Sequence, residues 1–448
     1  MKRSDGTINS PSTSNRRTFL KVLGGAGAAC PFAGSAFARG SDEPSAKGHV
    51  TDAPVANAAS ADDHVIPYGA HQAGIATARP ANGMIASFDV IAETPDELEE
   101  LFRTLTERIR FLTKGGAIAN IDPRLPPLDS GILGPVIKPD ALTITLSLGV
   151  ALFDERPWLK PLTPKRLSRM VRFPNDALDA QICHGDLTLQ ICANTQDTTL
   201  HALRDIIKTT SGQLVLKWKQ EGNVPVIPPR PDGMVESARN FLGFRDGSAN
   251  PDASDQALMD RLIWVGSSHD EPSWAVGGTY QAVRIIRNFV ERWDRTPLGE
   301  QERIMGRMKM SGAPLHKPDA DEFVLPDYSA DPDGNATPLD AHIRLANPRT
   351  PETDDSLILR RPFNYSNGVT KSGQLDQGLL FICYQADLDK GFIAVQRRLD
   401  GEPLEEYLKP VGGGYFFTLP GIRNESDYLG RSLLDAVRAN GAPRKAPG

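Results

Sequence analysis

The clearest fold signal in the chain is MIASFDVIAETPDELEELFRTLTERIRFL, residues 84–112. Its apolar beginning, residues 84–91, predicts a strand. Thr94 and Glu97 then form a capping box with Pro95 at the first helical position, which marks the start of a helix. Apolar residues recur at helical spacing after this point, so one face of the helix is predicted to be buried. That face carries Leu98, Leu101, Phe102, Leu105, Ile109 and Leu112.

Alternating apolar and polar residues predict the strands that follow. Residues 142–148 and 187–191 alternate in this way, which is typical of half-buried strands. Residues 198–208 predict a helix, and residues 214–218 predict a last strand. The order is therefore β-α-β-β-α-β, which is the ferredoxin-like unit.

The second half of the chain repeats this order without repeating the sequence. The predicted fold class is therefore α+β, of the dimeric α+β barrel type, with two tandem ferredoxin-like units packed through their sheets. The loop over residues 310–343 is long, acidic and proline-rich, and loops of that length usually serve function or are disordered. The predicted elements are a strand over 280–289, a helix over 297–308, strands over 357–365 and 379–385, a helix over 388–399 and a strand over 415–419.

The N-terminus has the three parts of an export signal. Arg16 and Arg17 precede Phe-Leu-Lys, a glycine- and alanine-rich apolar run follows, and Ala36-Phe37-Ala38 offers a cleavage site. The arginine pair resembles the twin-arginine class, and the apolar run is too short for a stable membrane span. We therefore expect a periplasmic protein. Its predicted division is a twin-arginine signal peptide over 1–38, a disordered leader over 39–63, a first ferredoxin-like domain over 64–240, a second over 241–436 and a tail over 437–448.

Charge and cysteine content exclude some kinds of function. The chain has 448 residues and a formal net charge of −6. Nucleic-acid binding is not expected, because it usually needs a basic domain. Cys183, Cys192 and Cys383 form no CxxC pair, so no zinc site is predicted.

Two motifs present charged groups on backbone that suits a ligand. GFRDGSANP, residues 243–251, places Asp246 between glycines that allow a tight turn and close approach to a flat ligand. LILRRP, residues 357–362, carries Arg360 at the end of an apolar strand, where its charge can reach a cavity. Each motif also has a purely structural interpretation, as a surface turn with a capping aspartate or as an arginine at a strand end. From the residues alone, both interpretations stay open.

A third motif, DAHIRLANPR, residues 340–349, contains the strongest candidate metal ligand, His342. Arg344 and Arg349 follow it closely and suit anionic carboxylates, which arginine contacts through paired hydrogen bonds. A lone histidine beside apolar residues is more often a structural residue with satisfied hydrogen bonds, and that alternative stays open. His71, in the segment YGAHQAGI, is the main rival to His342 as a ligand.

Together, and in their order along the chain, the three motifs resemble the dye-decolourising peroxidase family. GFRDG matches the GxxDG signature of that family, and the interval between His342 and Arg360 fits its spacing of iron ligand and distal arginine. The resemblance is closest to a periplasmic branch that serves iron uptake, and it runs from about Pro67 to Leu434. The segments that match this branch are HQAGI, RLPPLDSGIL, RFPNDALDA, CHGDLTLQICANTQDT, HALRDIIK, DAHIRLANPR, SGQLDQGLLFICYQ and GGGYFFTLP.

The resemblance implies a non-covalent haem b cofactor in the second domain, with its iron held by His342. It implies that Asp246 is the distal acid–base group and that Arg360 is the distal arginine. The sequence has no CxxCH motif that would attach a haem covalently. The other implied haem contacts are Gly247, Ser248, Ala249, Asn347, Pro348 and Arg349, together with Arg360.

The resemblance also implies an activity and partners. The protein is expected to reduce hydrogen peroxide, to oxidise organic reductants, and to release iron from haem with the porphyrin left intact. A homodimer and contacts with other Efe iron-uptake proteins are expected. One departure is visible, because Pro362-Phe363-Asn364 stands where that branch has Gly-Tyr-Ser, and the preferred substrate therefore stays open.

Three further expectations follow from the implied chemistry. A carboxylate that moves protons suits acidic conditions, so an acidic pH optimum is expected. The ring N–H of His342 should be oriented by a nearby carboxylate, which the sequence does not identify. Bulky donors should react at the haem edge or through surface aromatic residues. The candidate carboxylates are Asp400, Glu402, Glu405 and Glu406, and the candidate aromatic residues are Trp264, Trp274 and Trp293.

Two other functions stay open at this point. A periplasmic haem carrier would bind haem without turnover, and it would have no need of Asp246 and Arg360. A protein with this scaffold can also take a ligand other than haem, because a fold alone does not fix function.

Overall fold

The computed structural model describes residues 63–118 and 122–441. The predicted signal peptide, the leader up to residue 62 and residues 442–448 of the tail lie outside the described residues. Within the described ranges, no helix is both long enough and apolar enough to cross a membrane. The elements of the first half are β1 (Asn82–Val90), α1 (Pro95–Lys114), β2 (Gly116–Ala117), β3 (Val136–Ile137), β4 (Thr143–Gly149), α2 (Val150–Asp154), β5 (Leu187–Ala193), α3 (Gln196–Thr209) and β6 (Leu214–Asn223).

The second half has the same kind of alternation, with longer loops between its elements. Short 3-10 turns and one π-helical turn connect the regular elements. The elements are α4 (Gln256–Leu262), β7 (Thr279–Asn288), α5 (Val290–Trp293), α6 (Leu298–Met305), α7 (His342–Ala346), β8 (Leu359–Arg360), β9 (Phe363–Val369), β10 (Leu375–Gln385), α8 (Ala394–Leu399), β11 (Leu408–Thr418) and α9 (Arg431–Ala439).

The predicted strand and helix at the start of the first half are confirmed. The Thr94 hydroxyl accepts the Glu97 N–H, and the Glu97 carboxylate accepts the Thr94 N–H at 3.1 Å, which completes the capping box of α1. The predicted apolar face of α1 is buried at every position. The cap satisfies backbone donors that would otherwise lack partners, and burial removes the apolar face from water.

The long strands form one antiparallel sheet that closes on itself. The order is β4-β5-β1-β6 in the first half and β9-β10-β7-β11 in the second, which is the strand order of a ferredoxin-like unit in both. The halves join where β11 pairs with β4 and where β6 pairs with β9. The predicted α+β class with two tandem ferredoxin-like units is therefore confirmed.

The prediction that residues 142–148 and 187–191 form half-buried strands is wrong. β4 and β5 are buried at every residue, because helices cover one face of the sheet and the closed interior covers the other. Polar side chains in the interior find partners there. For example, the Thr145 hydroxyl donates to the Ala73 carbonyl at 2.7 Å. The alternation therefore indicates that one face is apolar and the other polar. It does not indicate whether the polar face is exposed to solvent.

The predicted strand over residues 357–365 is divided into β8 and β9. Pro362 has no N–H with which to continue the ladder, and the Arg361 guanidinium donates to the carbonyls of residues 77–78. The Arg79 guanidinium in turn donates to the Pro362 carbonyl at 2.7 Å. A segment of the first half therefore holds the end of β8 in place.

Other predicted elements of the second half differ in their bounds. The helix predicted over residues 297–308 ends early, because Gly306 adopts the left-handed conformation that terminates a helix. The helix predicted over residues 388–399 begins with a π-helical turn, Asp389–Ile393, before α8. At the C-terminus, α9 continues past residue 436 and ends at Ala439.

Replacing Thr145 by Val tests whether both faces of β4 are buried. The exchange keeps the shape of the side chain and removes the donor to the Ala73 carbonyl, so the free energy of unfolding should fall by about 1–3 kcal/mol. Urea unfolding of the variant and the wild type measures the change. Val215 on β6 is 52% exposed, so Val215→Thr is the control and should change the free energy by less than about 0.5 kcal/mol. Equally small effects at both positions would contradict a closed interior.

Candidate active site

The loop that carries Asp246 has little conformational freedom. Gly243 and Gly247 have φ values of 88° and 143°, in the region that favours glycine, so the predicted tight turn is present. The Asp246 N–H donates to the Ala238 carbonyl at 2.8 Å. A Cβ atom at position 243 would lie 2.5 Å from Cε of Lys309, so the loop also packs closely on its neighbour.

Asp246 and Arg360, which two separate motifs predicted, are in contact. Arg360 Nη1 donates to Asp246 Oδ1 at 2.9 Å, and the two side chains are 28% and 12% exposed. Asn250 links the motifs a second time. Its amide donates to the Arg360 carbonyl at 2.7 Å, and its oxygen accepts the Arg360 N–H at 3.1 Å. These bonds satisfy the backbone at the end of β8 and hold the arginine beside the loop.

His342 begins α7 and is backed by a buried carboxylate. Its Nδ1 lies 2.7 Å from Oε2 and 3.0 Å from Oε1 of Glu402, whose side chain is 4% exposed. Among the four carboxylates that the sequence offered, Glu402 is thus the one in contact. The described residues give the Nε2 atom of His342 no hydrogen-bond partner, so this nitrogen is the one available to a metal.

The charges around His342 place it near the Asp246–Arg360 pair. Burial acts to lower the pKa of His342, but the charge and the hydrogen bond of Glu402 outweigh it, so the pKa is raised above its ordinary value. The charges of Arg360 and Asp246 also act on the imidazole. The three residues predicted from the sequence therefore lie close enough together for their charges to interact.

Two buried polar atoms in the same region are not fully satisfied. Neither Arg349 Nε nor the Tyr328 hydroxyl makes a hydrogen bond of normal geometry among the described residues, although burial raises the pKa of Tyr328 and the nearby Arg349 guanidinium acts to lower it. Arg349 also adopts a φ of 59°, which is uncommon for a residue with a side chain, and its N–H donates to Asn347 Oδ1 at 3.1 Å. Unpartnered buried donors call for a ligand that supplies acceptors. A haem fits this requirement, because it carries two carboxylate groups.

Arg344, which the sequence suggested as a partner for anionic carboxylates, already has partners within the protein. Its guanidinium donates to the carbonyls of Thr337 and Asp331, each at 2.8 Å, and it lies 3.3 Å from the Asp331 carboxylate. It also stacks on the Tyr328 ring at 4.8 Å. Its hydrogen bonds therefore hold the long loop before α7, and Arg349 remains the arginine available to an anionic ligand.

The other residues predicted to contact a ligand lie next to Asp246 and Arg349 in the chain. Gly247, Ser248, Asn347 and Pro348 are half-buried, and Ala249 is exposed. The Ser248 hydroxyl donates to the Glu322 carboxylate, so this group is already used within the protein.

The rival ligand, His71, has its own partners elsewhere. Its ring stacks on Trp264 with centroids 3.8 Å apart and planes 7° apart, and its Nδ1 donates to the Gly277 carbonyl at 2.7 Å. Burial lowers its pKa, which favours the neutral ring. These contacts are those of a structural histidine.

The prediction that three tryptophans lie at the surface, where bulky donors could react, is wrong. Trp264, Trp274 and Trp293 are 6%, 3% and 0% exposed. All three indole rings are packed into the interior, so none of them offers a surface at which a large donor can dock.

Comparison with known proteins shows that this fold is the fold of a haem peroxidase and gives the family. The profile described as "Dyp-type peroxidase, N-terminal" matches residues 72–223, and the profile described as "Dyp-type peroxidase, C-terminal" matches residues 237–423. The chain therefore belongs to the Dyp-type peroxidase family. The resemblance noted in the sequence is confirmed.

Curated relatives are similar over nearly the whole chain. The protein named deferrochelatase in Escherichia coli strain K12 is 54% identical over 435 residues, which covers 96% of this chain and 99% of the relative. The deferrochelatase of Shigella flexneri is 53% identical over 434 residues, with the same coverage of both chains.

Solved structures of this family share the fold. The DyP-type peroxidase of Cellulomonas bogoriensis has a TM-score of 0.73 at 33% identity and covers 84% of this chain and 99% of its own. Ferric DtpA from Streptomyces lividans has a TM-score of 0.74 at 31% identity and covers 84% and 98%. These likenesses confirm the fold class over both halves of the chain.

Three residues that shape the site were missed by the sequence analysis. Asn250 stands inside the GFRDGSANP motif, and an amide so close to the candidate aspartate was a signal that could have been used. Arg79 and Glu322 gave no such signal. Arg79 lies outside the three motifs that carry the candidate residues, and Glu322 is one of several acidic residues in a loop without periodicity.

Replacing Glu402 by Gln should alter how the stability of the haem-free protein depends on pH. The pKa of folded His342 is raised above an ordinary value of 6.5, so the stability contributed by the ion pair is complete below that value. It is lost as the pH rises through the folded pKa. The melting temperature of Glu402→Gln should therefore fall furthest below that of the wild type near about pH 6, and less near about pH 9.

Glu406→Gln serves as the control for this measurement. Glu406 lies close by in the chain, but its side chain is 62% exposed. The substitution Glu406→Gln should change the melting temperature little at any pH, because exposed ion pairs contribute little to stability. A pH-independent effect of Glu402→Gln would contradict the ion pair with His342.

Proposed function

We propose that this protein is a periplasmic haem peroxidase in which His342 holds the iron of a non-covalent haem b and Asp246 and Arg360 act on peroxide. The observation that carries the proposal is the 2.9 Å contact between Arg360 and Asp246 beside an imidazole backed by Glu402. Family membership supports the reaction class, and the residue roles rest on this geometry.

The described residues offer what a haem would need. His342 Nε2 is free to bind iron, while the Glu402 carboxylate fixes the ring and increases the electron density on that nitrogen. Arg349 offers a guanidinium without a carboxylate partner among the described residues to a haem propionate. The proposed contacts of the flat ring are Gly247, Ser248 and Ala249 on one segment and Asn347 and Pro348 on the other. Bound haem supplies the redox-active iron at which peroxide is reduced.

Asp246 and Arg360 have different roles in the reduction of peroxide. Reduction requires that a proton leave one oxygen and reach the other before the O–O bond breaks. The Asp246 carboxylate can take up the first proton and return it to the departing oxygen. The Arg360 guanidinium places fixed positive charge where that oxygen becomes anionic. Because the pair is held by Asn250 and by the loop glycines, little reorganisation is needed when peroxide binds.

The same contact argues against a haem carrier that binds without turnover. A carrier needs an iron ligand and contacts to the propionates, but it has no use for an aspartate held against an arginine. Burial of charged groups costs free energy unless they are paired. The presence of this half-buried pair near His342 therefore favours catalysis.

Release of iron from haem, with the porphyrin left intact, is the second activity. Relatives at 53% and 54% identity over 96% of the chain are named deferrochelatase, which supports it. The sequence at residues 16–21, which resembles a twin-arginine signal, supports a periplasmic location, where other Efe iron-uptake proteins are the proposed partners. A homodimer is the proposed assembly.

Substitutions of the three central residues test the proposed roles. Asp246→Asn should keep the Soret absorption of bound haem and lower kcat/KM for peroxide about 100- to 10,000-fold. Arg360→Ala should also keep haem and lower kcat/KM about 100- to 1,000-fold. His342→Ala should lose or shift the Soret band. The wild type should work best in acidic solution, and Asp246→Asn should flatten that profile. Unchanged turnover in both distal variants, or an unchanged band in His342→Ala, would refute the assigned roles.

Iron release is tested separately, by incubating the protein with haem and following the fluorescence of iron-free porphyrin. The wild type should accumulate porphyrin of unchanged mass, and His342→Ala should not. Serum albumin loaded with haem serves as the control for spontaneous loss of iron. Peroxide turnover without any porphyrin fluorescence would support the peroxidase activity and refute the release of iron from haem.

A further inference from the structure

A buried carboxylate that the reaction does not use directly lies beneath the loop of Asp246. Glu322 belongs to the long loop between α6 and α7, and it is 2% exposed. Glu322 Oε1 accepts the Ser237 N–H at 2.8 Å, and Oε2 accepts the Ser248 hydroxyl. One carboxylate thus binds two points that are well separated in the chain.

Those two points enclose the aspartate. Ser237 precedes Ala238, whose carbonyl accepts the Asp246 N–H at 2.8 Å. Ser248 follows Asp246 across Gly247, where a Cβ atom would lie 3.2 Å from the Ser237 hydroxyl. The chain on either side of Asp246 is therefore tied together by the Ala238 carbonyl from within the loop and by Glu322 from outside it.

The surroundings of Glu322 compensate its charge and fix its position. Arg245 Nε lies 3.8 Å from Glu322 Oε1, and the Arg245 guanidinium also donates to the Ser237 carbonyl at 2.9 Å. Arg307 Nη1 donates to the Glu322 carbonyl at 3.0 Å. Gly312 has a φ of 77°, and a Cβ atom there would lie 2.8 Å from Glu322 Cβ. The carboxylate therefore cannot move without disturbing Arg245 or the chain at Gly312.

We propose that Glu322 is a positioning residue for the peroxide reaction, which holds the Asp246 carboxylate against Arg360 by tying Ser237 to Ser248. The inference rests on the proposed role of Asp246. Without Glu322, the two sides of the loop lose their common acceptor, and the carboxylate is free to leave the arginine. Misplacement of a catalytic group by about 1 Å can lower a rate about 100-fold.

Two substitutions separate the hydrogen bonds from the charge. Glu322→Ala removes both acceptors and leaves the Ser237 N–H without a partner, while Arg245 keeps its bonds to the Ser237 carbonyl and the Glu236 carboxylate. Glu322→Gln keeps the shape, because its oxygen can accept the Ser237 N–H and its amide can donate to the Ser248 hydroxyl. The glutamine variant should therefore restore most of what the alanine variant loses.

Glu271 provides the matched control, because it is also a buried carboxylate with the same kinds of partner. Its side chain is 0% exposed and lies 2.7 Å from Arg166. It accepts the Tyr280 hydroxyl at 2.8 Å and the Lys165 N–H at 2.7 Å. Glu271→Ala should lower the melting temperature as Glu322→Ala does, but without the effect on peroxide.

The experiment combines steady-state kinetics of the holoenzyme with hydrogen–deuterium exchange of the full chain. Glu322→Ala should keep the Soret band, lower kcat/KM for peroxide about 10- to 100-fold and leave KM for the organic donor unchanged. Amide exchange in peptides that cover residues 237–249 should become faster. In an Asp246→Asn background, the same substitution should cause no further loss of kcat/KM.

The outcomes that would overturn the proposal are distinct from those that would overturn the peroxidase. Faster exchange at residues 237–249 with unchanged kcat/KM would make Glu322 merely structural. Losses that multiply in the double variant with Asp246→Asn, or an equal loss in Glu271→Ala, would do the same. A wild type that does not reduce peroxide would refute the proposed function, and the exchange measurement would still report whether Glu322 ties the loop.

Discussion

Closure of the sheet is the constraint on which the rest of the structure depends. Once β10 pairs with β7 and β6 pairs with β9, each long strand of the closed sheet has a neighbour on both edges. Side chains must then pack against both faces of the sheet. A buried polar group costs free energy unless it is hydrogen-bonded. A hydrogen-bond network in the interior offsets this cost. The Tyr384 hydroxyl donates to Gln190 at 2.8 Å and accepts from the Gln281 amide at 2.9 Å.

Closure also decides where the candidate site can form. Leu359 belongs to the apolar cluster inside the closed sheet. Its neighbour Arg360 therefore points to the outer face of the sheet, because successive side chains of a strand alternate between faces. The next residue, Arg361, bonds to the carbonyls of residues 77–78 in the first half. The first half therefore contributes no proposed ligand, but it fixes the end of the strand from which the arginine reaches Asp246.

Sequence patterns predicted what local chemistry specifies. The capping box predicted α1, the glycines around Asp246 predicted a tight turn, and the repeated element order predicted the fold class. They did not predict burial of both faces of β4, because alternation is the same whether the second face meets water or a closed interior. They also could not choose Glu402 among four acidic residues, since only the folded chain brings one of them to His342.

The two groups proposed to face the reaction each depend on a carboxylate buried more deeply than they are. Glu402 is 4% exposed in its side chain and orients His342, and Glu322 is 2% exposed and ties the loop of Asp246. A buried ion pair adds little net stability over an apolar replacement of both partners, although removal of one partner alone destabilises the protein. Such residues are therefore better explained by the geometry that they impose than by the stability that they add. A partly exposed aspartate on a loop would otherwise sample many positions, and a group that carries a proton is useful only in the position beside the arginine.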